Sequence, residues 1–260
     1  MRKIFIYAMW GFVFICIAAV AIVFTAIAKG KIGYVPPVEE LENPNLKFAT
    51  QVISEDGKLL GTWSLSKENR VYVGYEDLSP HLVHALVATE DVRFEDHSGI
   101  DARAFMRAVI KRGIFMQKHA GGGSTITQQL ARTVFLSNEK TWERKIEEMY
   151  IAVELEKKYT KEDILEFYLN NVYFANGYYG IEAAAQGYFG TDVSHLSLSQ
   201  MIYLCAIPNN PTLYNPLTNP DKTEARRDRI LKSMLEDKVI SENSYETAKA
   251  EKIETVQKDE

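Results

Sequence analysis

The sequence has little of what marks several common classes of protein. It contains only two cysteines and eight prolines in 260 residues, and its formal net charge is only -5. Cys16 and Cys205 lie in separate apolar segments that could hardly meet, so no intramolecular disulfide is expected. The weak charge argues against nucleic acid as a partner, and the lack of a 20–50-residue repeat argues against solenoids and propellers. The composition is that of an ordinary globular protein, and the length is enough for one large domain or a domain with a small appendage.

The one long hydrophobic run lies at the start of the chain. Residues 4–28 contain no charged side chain, and as a helix they would reach roughly 37 Å at 1.5 Å per residue. A bilayer core is about 30 Å thick, so we predict a transmembrane anchor at 4–28 behind a cytoplasmic tail, 1–3. Basic residues flank the run on both sides and favour this orientation only weakly. A cleaved signal peptide is the alternative, with 26–28 as its small-residue site, although the run exceeds the roughly 7–15 residues of a signal core.

The next segments change in character. Residues 29–47 include a Pro/Glu/Asn-rich, aperiodic stretch, which predicts a linker. Residues 48–75 predict a small β segment, with a hairpin turning at Asp56-Gly57 and a further strand at 71–73.

Helical patterns dominate residues 76–240, which we predict to form the main domain, followed by a polar C-terminal tail at 241–260. Capping residues and apolar spacing mark the helix starts. The predicted helices begin near Ser79, Asp101, Ser124, Thr141, Thr160, Leu198 and Thr223.

A carboxylate pair lies where the first predicted helix gives way to a loop. Glu90 and Asp91 end that helix, and His97 follows seven residues after Glu90. A helix end that emerges from a core is a suitable place for a general base, because rigid packing aims its side chain. A solvated acidic helix end would show the same pattern. Metal binding by His97 is disfavoured because no second histidine lies at ligand spacing.

Three glycines, 121–123, lead into the third predicted helix. Exposed N–H groups and the positive end of a helix dipole suit a pyrophosphate. Ser124, Gln128 and Arg132 recur every four residues and would line one face. The opposite, buried face is predicted to consist of Ile126, Leu130 and Val134. A capped helix with a flexible lead-in is the simpler interpretation.

The fourth predicted helix carries a charged group beside apolar positions. Arg144 and Glu148 are spaced i, i+4, and Lys140 lies one turn earlier. Such pairs are commonly surface salt bridges worth about 0.2–0.5 kcal/mol, but these charges flank residues that are expected to be buried.

A basic stripe of Arg103, Arg107 and Lys111 runs beside an apolar one in the second predicted helix. This pattern is typical of a membrane surface, and also of a core helix with a solvated basic face.

Together, these motifs resemble glycosyltransferase family 51, the peptidoglycan polymerases found alone or as the first domain of bifunctional class A penicillin-binding proteins. Six runs match in order, over roughly residues 50–240. They are Glu90-Asp-x-x-Phe-x-x-His-x-Gly99, Gly122-Gly-Ser-Thr-Ile-Thr-Gln-Gln129, Arg144-Lys-x-x-Glu148, Lys161-x-x-Ile-Leu-Glu-x-Tyr-Leu-Asn170, Gly180-Ile-Glu-Ala-Ala-Ala-Gln-x-Tyr-Phe-Gly190 and Asn210-Pro-x-x-Tyr-Asn-Pro216. Arg132-Thr133 stands where the family usually has Lys-Asn, and Ala175 where glycine is common.

The resemblance implies a mainly α, lysozyme-like transferase domain with a small β-containing segment and one N-terminal transmembrane helix. It implies polymerisation of lipid II into β-1,4 glycan by inverting transfer, with release of undecaprenyl pyrophosphate. Glu90 would be the general base for the C4 hydroxyl of the incoming sugar. Glu148 would be a second catalytic carboxylate, near the donor pyrophosphate or as a ligand of its Mg²⁺ or Mn²⁺ ion. The substrate-binding set would be Asp91, His97, Ser124, Thr125, Gln128, Gln129, Arg132, Lys140, Arg144 and Lys145.

The implied location is the bacterial cytoplasmic membrane, single-pass, with the catalytic domain on the periplasmic or extracellular side. The implied partners are lipid II, the growing lipid-linked glycan, the membrane and cell-wall assembly proteins. A lysozyme-like lytic enzyme would also use two carboxylates, but it needs no basic pyrophosphate ligands. A noncatalytic membrane-tethered scaffold is a second alternative. The sequence leaves open whether the chain is monofunctional or part of a bifunctional protein.

Overall fold

The computed structural model describes most of the chain after residue 70 and parts of what precedes it. Its described residues are 71–113, 123–136, 141–256, the strands 50–53 and 59–63, and residues 4, 7, 10, 11, 14, 15, 18, 22–27 and 29. Those between 4 and 27 are helical. Within this described portion, no helix combines the length and apolar character needed to cross a membrane. The anchor at 4–28 falls partly outside this portion and stays a prediction.

The N-terminal β segment contains an antiparallel hairpin. Strand β1 (Thr50–Ile53) pairs with β2 (Leu59–Trp63), with Thr50 opposite Trp63 and Ile53 opposite Leu59. This pairing confirms the predicted hairpin, while its Asp-Gly turn lies outside the described residues.

The prediction of a further strand at 71–73 is wrong. The segment is not part of a sheet, because the side chain of Asn170 takes the place of a partner strand. Val73 N donates to Asn170 Oδ1 at 2.8 Å, and Asn170 Nδ2 donates back to Val73 O at 2.8 Å. The backbone N–H and C=O of Val73 are thus satisfied without a partner strand.

The body of the described chain is helical, which confirms the mainly α class. Its α-helices are α1 (Pro80–Glu90), α2 (Ala102–Gly113), α3 (Ile126–Phe135), α4 (Trp142–Lys158), α5 (Lys161–Asn171), α6 (Ile181–Phe189), α7 (Leu198–Cys205), α8 (Pro220–Glu236) and α9 (Glu242–Ala250). Short 3-10 helices cover Tyr75–Asp77, Phe94–Asp96 and Val193–His195.

The predicted helix starts are confirmed where a local cap fixes them. Ser79, Thr141 and Thr160 each accept a hydrogen bond from the first turn of their helix. For α3 the N-cap is Thr125 rather than Ser124, because Thr125 forms a capping box with Gln128.

Helix α3 lies in the middle of the body, against α4 and α5, while α7 packs against α1 and α8. The predicted apolar face of α3 is buried at Ile126 and Leu130, with Val134 half-buried. Gln128, on the opposite face, is also fully buried. Both sides of the first turns of α3 are therefore enclosed by protein.

The turn after α5 contains alanine in a backbone conformation that favours glycine. Ala175 has φ of +66°, a left-handed conformation that favours glycine. Glycine, which the resemblance leads one to expect at this position, would adopt this conformation without strain.

The C-terminal segment 241–260 contains more structure than the predicted polar tail. Residues 242–250 form α9, which packs on α8. Beyond it, the carbonyl oxygen of Glu251 accepts from Arg227 NH1 at 3.1 Å, and Val256 N donates to Tyr188 O at 2.8 Å. Through residue 256 this segment is therefore held against the helical body.

Candidate active site

Glu90 ends α1 with its side chain pointing into the body, only 4% exposed. Its Oε2 accepts from Gln129 Nε2 on α3 at 3.1 Å, and its Oε1 lies 3.6 Å from Arg226 NH2 on α8. Gln129 is held in turn, because its Oε1 accepts from Tyr168 OH on α5 at 3.1 Å. Four helices thus fix the carboxylate that the sequence predicted as a general base.

The pKa of Glu90 is raised above the ordinary glutamate value. Burial is the largest cause, because loss of water disfavours the charged form. The Gln129 hydrogen bond, the Arg226 charge and the Asn209 amide oppose this rise, and the neighbouring Asp91 charge adds to it. A base with a raised pKa takes up a proton more readily near neutral pH.

Asp91 and His97 lie behind Glu90, inside the protein. Asp91 Oδ2 accepts from Ile126 N, at the positive end of α3, at 3.0 Å and lies 2.9 Å from His97 Nε2. Their side chains are only 4% and 7% exposed. Both residues thus brace the loop against α3, and their predicted contact with substrate stays a prediction.

The loop after Glu90 is fastened at Gly99. Thr125 Oγ1 donates to Gly99 O at 2.7 Å, and the predicted contact of Thr125 with substrate stays a prediction. Gly99 has φ of +88°, and a Cβ there would lie 2.6 Å from Ala152 O on α4. The loop can approach α4 this closely only because residue 99 is glycine.

Glu148 forms the centre of a second charged group, on α4. Its side chain is 1% exposed, Arg144 NH1 donates to Oε2 at 2.7 Å, and Lys145 Nζ donates to Oε1. Lys145 also donates to Ser124 Oγ at 2.8 Å and lies 3.5 Å from Gln128 Oε1. The predicted Arg144–Glu148 pair is therefore present, and Lys145 links it to the start of α3.

Burial lowers the pKa of Lys145, and the charges of Arg132 and Arg144 lower it further. The Glu148 carboxylate opposes this and favours the charged ammonium. Arg132 is half-buried and forms neither a hydrogen bond nor an ion pair with any described residue. Lys140, predicted as a further cation here, lies outside the described residues.

Two buried nitrogens in this group lack a hydrogen-bond partner among the described residues, Gln128 Nε2 and Arg144 Nε. Such groups are costly unless a ligand or water satisfies them. Gln128 Nε2 and Arg144 Nε are therefore donors that could serve an anion, beside the positive charges that act on Lys145.

The geometry does not fit Glu148 as a direct metal ligand. Both carboxylate oxygens are already held by cationic side chains, which a metal ion would have to displace. Among the residues with described positions, no three His, Cys, Asp or Glu side chains come together as a metal-binding group.

Arg226 is the residue of this site that sequence reasoning missed. It lies in the run Arg226-Arg227-Asp228-Arg229, which has the appearance of a solvated charged face. The available signal was its spacing, because Arg226 lies one turn before the buried Ile230.

A family model described as transglycosylase matches residues 56–235. The chain belongs to the transglycosylase family. This membership confirms the resemblance drawn from the sequence motifs and places the chain among enzymes, the peptidoglycan glycosyltransferases.

Curated relatives of this transglycosylase domain are penicillin-binding proteins. Penicillin-binding protein 1A of Pseudomonas aeruginosa is 40% identical over 221 residues, covering 84% of this chain and 26% of that protein. Penicillin-binding protein 1A of Aquifex aeolicus is 43% identical over 216 residues, covering 82% and 29%. A solved structure of penicillin-binding protein 1A from Haemophilus influenzae has a TM-score of 0.46 at 24% identity, covering 82% of this chain and 22% of that one. The chain spans less than a third of the length of each of these relatives.

Proposed function

We propose that this domain polymerises lipid II into β-1,4 glycan strands and releases undecaprenyl pyrophosphate. One observation supports this most: two consecutive residues of α3 connect a buried carboxylate to a cationic group. Gln129 bonds Glu90, and Gln128 lies beside Lys145. A base and an anion-binding group therefore adjoin the same helical turn, as the transfer of a sugar from a pyrophosphate requires.

Glu90 would take the proton from the C4 hydroxyl of the acceptor sugar. The oxygen then forms a bond to C1 of the donor sugar as the bond from C1 to the pyrophosphate oxygen breaks, so the α-linked donor gives a β-linked product. A sugar hydroxyl is a poor nucleophile, and a positioned base contributes about 10²–10⁴-fold to such a step.

The cationic group would bind the departing pyrophosphate. Arg132, Arg144 and Lys145 supply fixed positive charge, and the free N–H of Gln128 can donate to a phosphate oxygen. Preorganised charge of this kind stabilises a leaving group where negative charge develops. A divalent cation remains a proposal: it would accompany the pyrophosphate of the substrate and supply further positive charge.

Glu148 would act by holding Arg144 and Lys145 in position. This assignment replaces the metal contact suggested by the resemblance, because both of its oxygens already bond those two side chains. Asp91, His97 and Thr125 would serve similarly, by fixing the loop that carries Glu90.

We propose in addition that the domain lies on the outer face of the cytoplasmic membrane, anchored by residues 4–28. Helical residues 22–27 reach α4, where Phe24 and Tyr150 have ring centroids 6.0 Å apart. Exposed Met106 lies between exposed Arg103 and Arg107 on α2, a pattern suited to a membrane surface. A lysozyme-like arrangement and contact with assembly proteins also remain proposals.

The direct experiment offers detergent-solubilised protein two substrates in parallel, labelled lipid II with Mg²⁺ or Mn²⁺ and preformed glycan. We expect polymer and undecaprenyl pyrophosphate from lipid II, with no cleavage of the glycan. Cleavage of glycan without polymer would favour the lytic alternative, and inactivity on both would favour a scaffold.

A further inference from the structure

Arg226 reaches the site from α8 with its orientation fixed. Its side chain is 16% exposed, and its guanidinium lies over the ring of Tyr214, 4.9 Å from the centroid. The neighbouring Arg227 instead bonds Ser199 and the carbonyl of Glu251. Consecutive arginines on one helix thus serve different parts of the molecule, and Arg226 is the one directed at Glu90.

The separation between Arg226 and Glu90 is informative. At 3.6 Å, NH2 and Oε1 attract each other as charges but are too far apart for a hydrogen bond. Within the described chain, no donor meets the geometry of a hydrogen bond to the buried Glu90 Oε1, although the Asn209 amide lies close enough to lower the Glu90 pKa. The other oxygen, Oε2, is occupied by Gln129. One oxygen is therefore anchored, and the other keeps its lone pairs available.

This arrangement suits a base better than a close ion pair would. A bidentate arginine would occupy both oxygens and strongly favour the ionised form, so the carboxylate would be a poor proton acceptor. No cation at all would leave a buried carboxylate to take up a proton before the reaction begins. A cation just beyond bonding distance avoids both problems.

We propose that Arg226 is a positioning residue for Glu90, a counter-ion that keeps the carboxylate charged while leaving Oε1 free to accept the proton of the acceptor hydroxyl. The inference rests on the proposed function, because it names the atom that performs the proton transfer there.

The other groups facing Glu90 do not duplicate this charge. Asp91, beside it, is an acid, and Tyr168 on α5 and Cys205 on α7 are neutral groups whose pKa values burial raises. Gln129 and Asn209 contribute neutral amide donors. Arg226 is thus the cation that acts on Glu90 among the groups described around it.

The test compares Arg226→Met and Arg226→Lys with Arg229→Met, which removes an exposed arginine from the same helix. The first readout is the rate of lipid II polymerisation against pH. For Arg226→Met we expect the acid limb to move upward by about one pH unit or more, since an opposite charge at this distance shifts a carboxyl pKa by about 1–3 units. Activity should recover as pH rises. Arg226→Lys should restore most of the wild-type profile, and Arg229→Met should retain it.

The second readout does not depend on activity. Titration of ¹³C-glutamate-labelled protein by NMR, with Glu90→Gln to assign the signal, should show the Glu90 pKa rising in Arg226→Met. An unchanged Glu90 titration, together with activity lowered equally at every pH, would overturn the proposal. Failure of the proposed function would look different: wild-type protein would make no polymer, while the NMR titration would still report whether the two side chains are coupled.

Discussion

Replacing Glu148 with glutamine should destabilise the protein far more than an ordinary helical ion pair would suggest. The substitution leaves Arg144 and Lys145 together in a site where they are only 13% and 23% exposed, without the carboxylate that both contact. Removing one partner of a buried pair costs about 3–5 kcal/mol. Because the two cations retain some solvent contact, we expect about 3 kcal/mol, equivalent to a fall in Tm of roughly 6–12 °C for a protein of this size.

Thermal and denaturant unfolding of the purified protein without substrate would measure this loss. Glu154→Gln is the matched control, because Glu154 and Lys157 form an i, i+3 pair on the same helix whose side chains are 25% and 62% exposed. Such a solvated pair is worth about 1 kcal/mol or less. Adding Lys145→Met to Glu148→Gln should recover part of the stability by removing an uncompensated charge. If Glu148→Gln costs no more than Glu154→Gln, the buried charged group is not a structural unit and our reasoning about its role is refuted.

Three further outcomes are expected. Gly99→Ala should lower the free energy of unfolding by more than the about 1–2 kcal/mol of left-handed strain alone, because its Cβ would meet Ala152 O. Gly177→Ala, with φ of +83° and open space around it, should cost only that strain. Equal losses of stability in denaturant unfolding would contradict the close approach of Gly99 to α4. Polymerisation by the wild type should fall as pH drops through the raised pKa of Glu90, since the base must be ionised, so an acid limb at the ordinary glutamate value would count against that assignment. The Cys205 thiol, whose pKa burial raises to about 12, should resist alkylation at pH 8 until the protein unfolds; rapid native-state labelling, located by peptide mapping, would disprove its burial.

Much of the fold could be predicted because its signals are local. A cap such as Thr160 bonds the backbone three residues away, and the hairpin residues lie on either side of one turn. The further strand at 71–73 could not be assessed in this way, since the backbone of Val73 bonds Asn170, 97 residues along the chain. The pattern of an extended segment does not reveal what satisfies its backbone.

The active site likewise has contacts that local spacing predicts and contacts that it does not. Spacing along α4 predicted the Arg144–Glu148 pair, because both residues lie on one helix. Asp91 braces its loop because it accepts a hydrogen bond from Ile126 N on α3. Arg226 acts on Glu90 because α8 packs beside the end of α1. Those approaches follow from tertiary packing, which one-dimensional spacing does not contain.

The single-turnover rate of lipid II polymerisation by Glu90→Gln, beside Glu95→Gln, tests the central claim most directly. Both variants remove one negative charge near the end of α1, but Glu95 is exposed and Glu90 is buried. We predict a loss of about 10²-fold or more for Glu90→Gln, with normal unfolding, and an unchanged rate for Glu95→Gln. Polymer formed by Glu90→Gln at the wild-type rate would contradict the assignment of Glu90 as the general base.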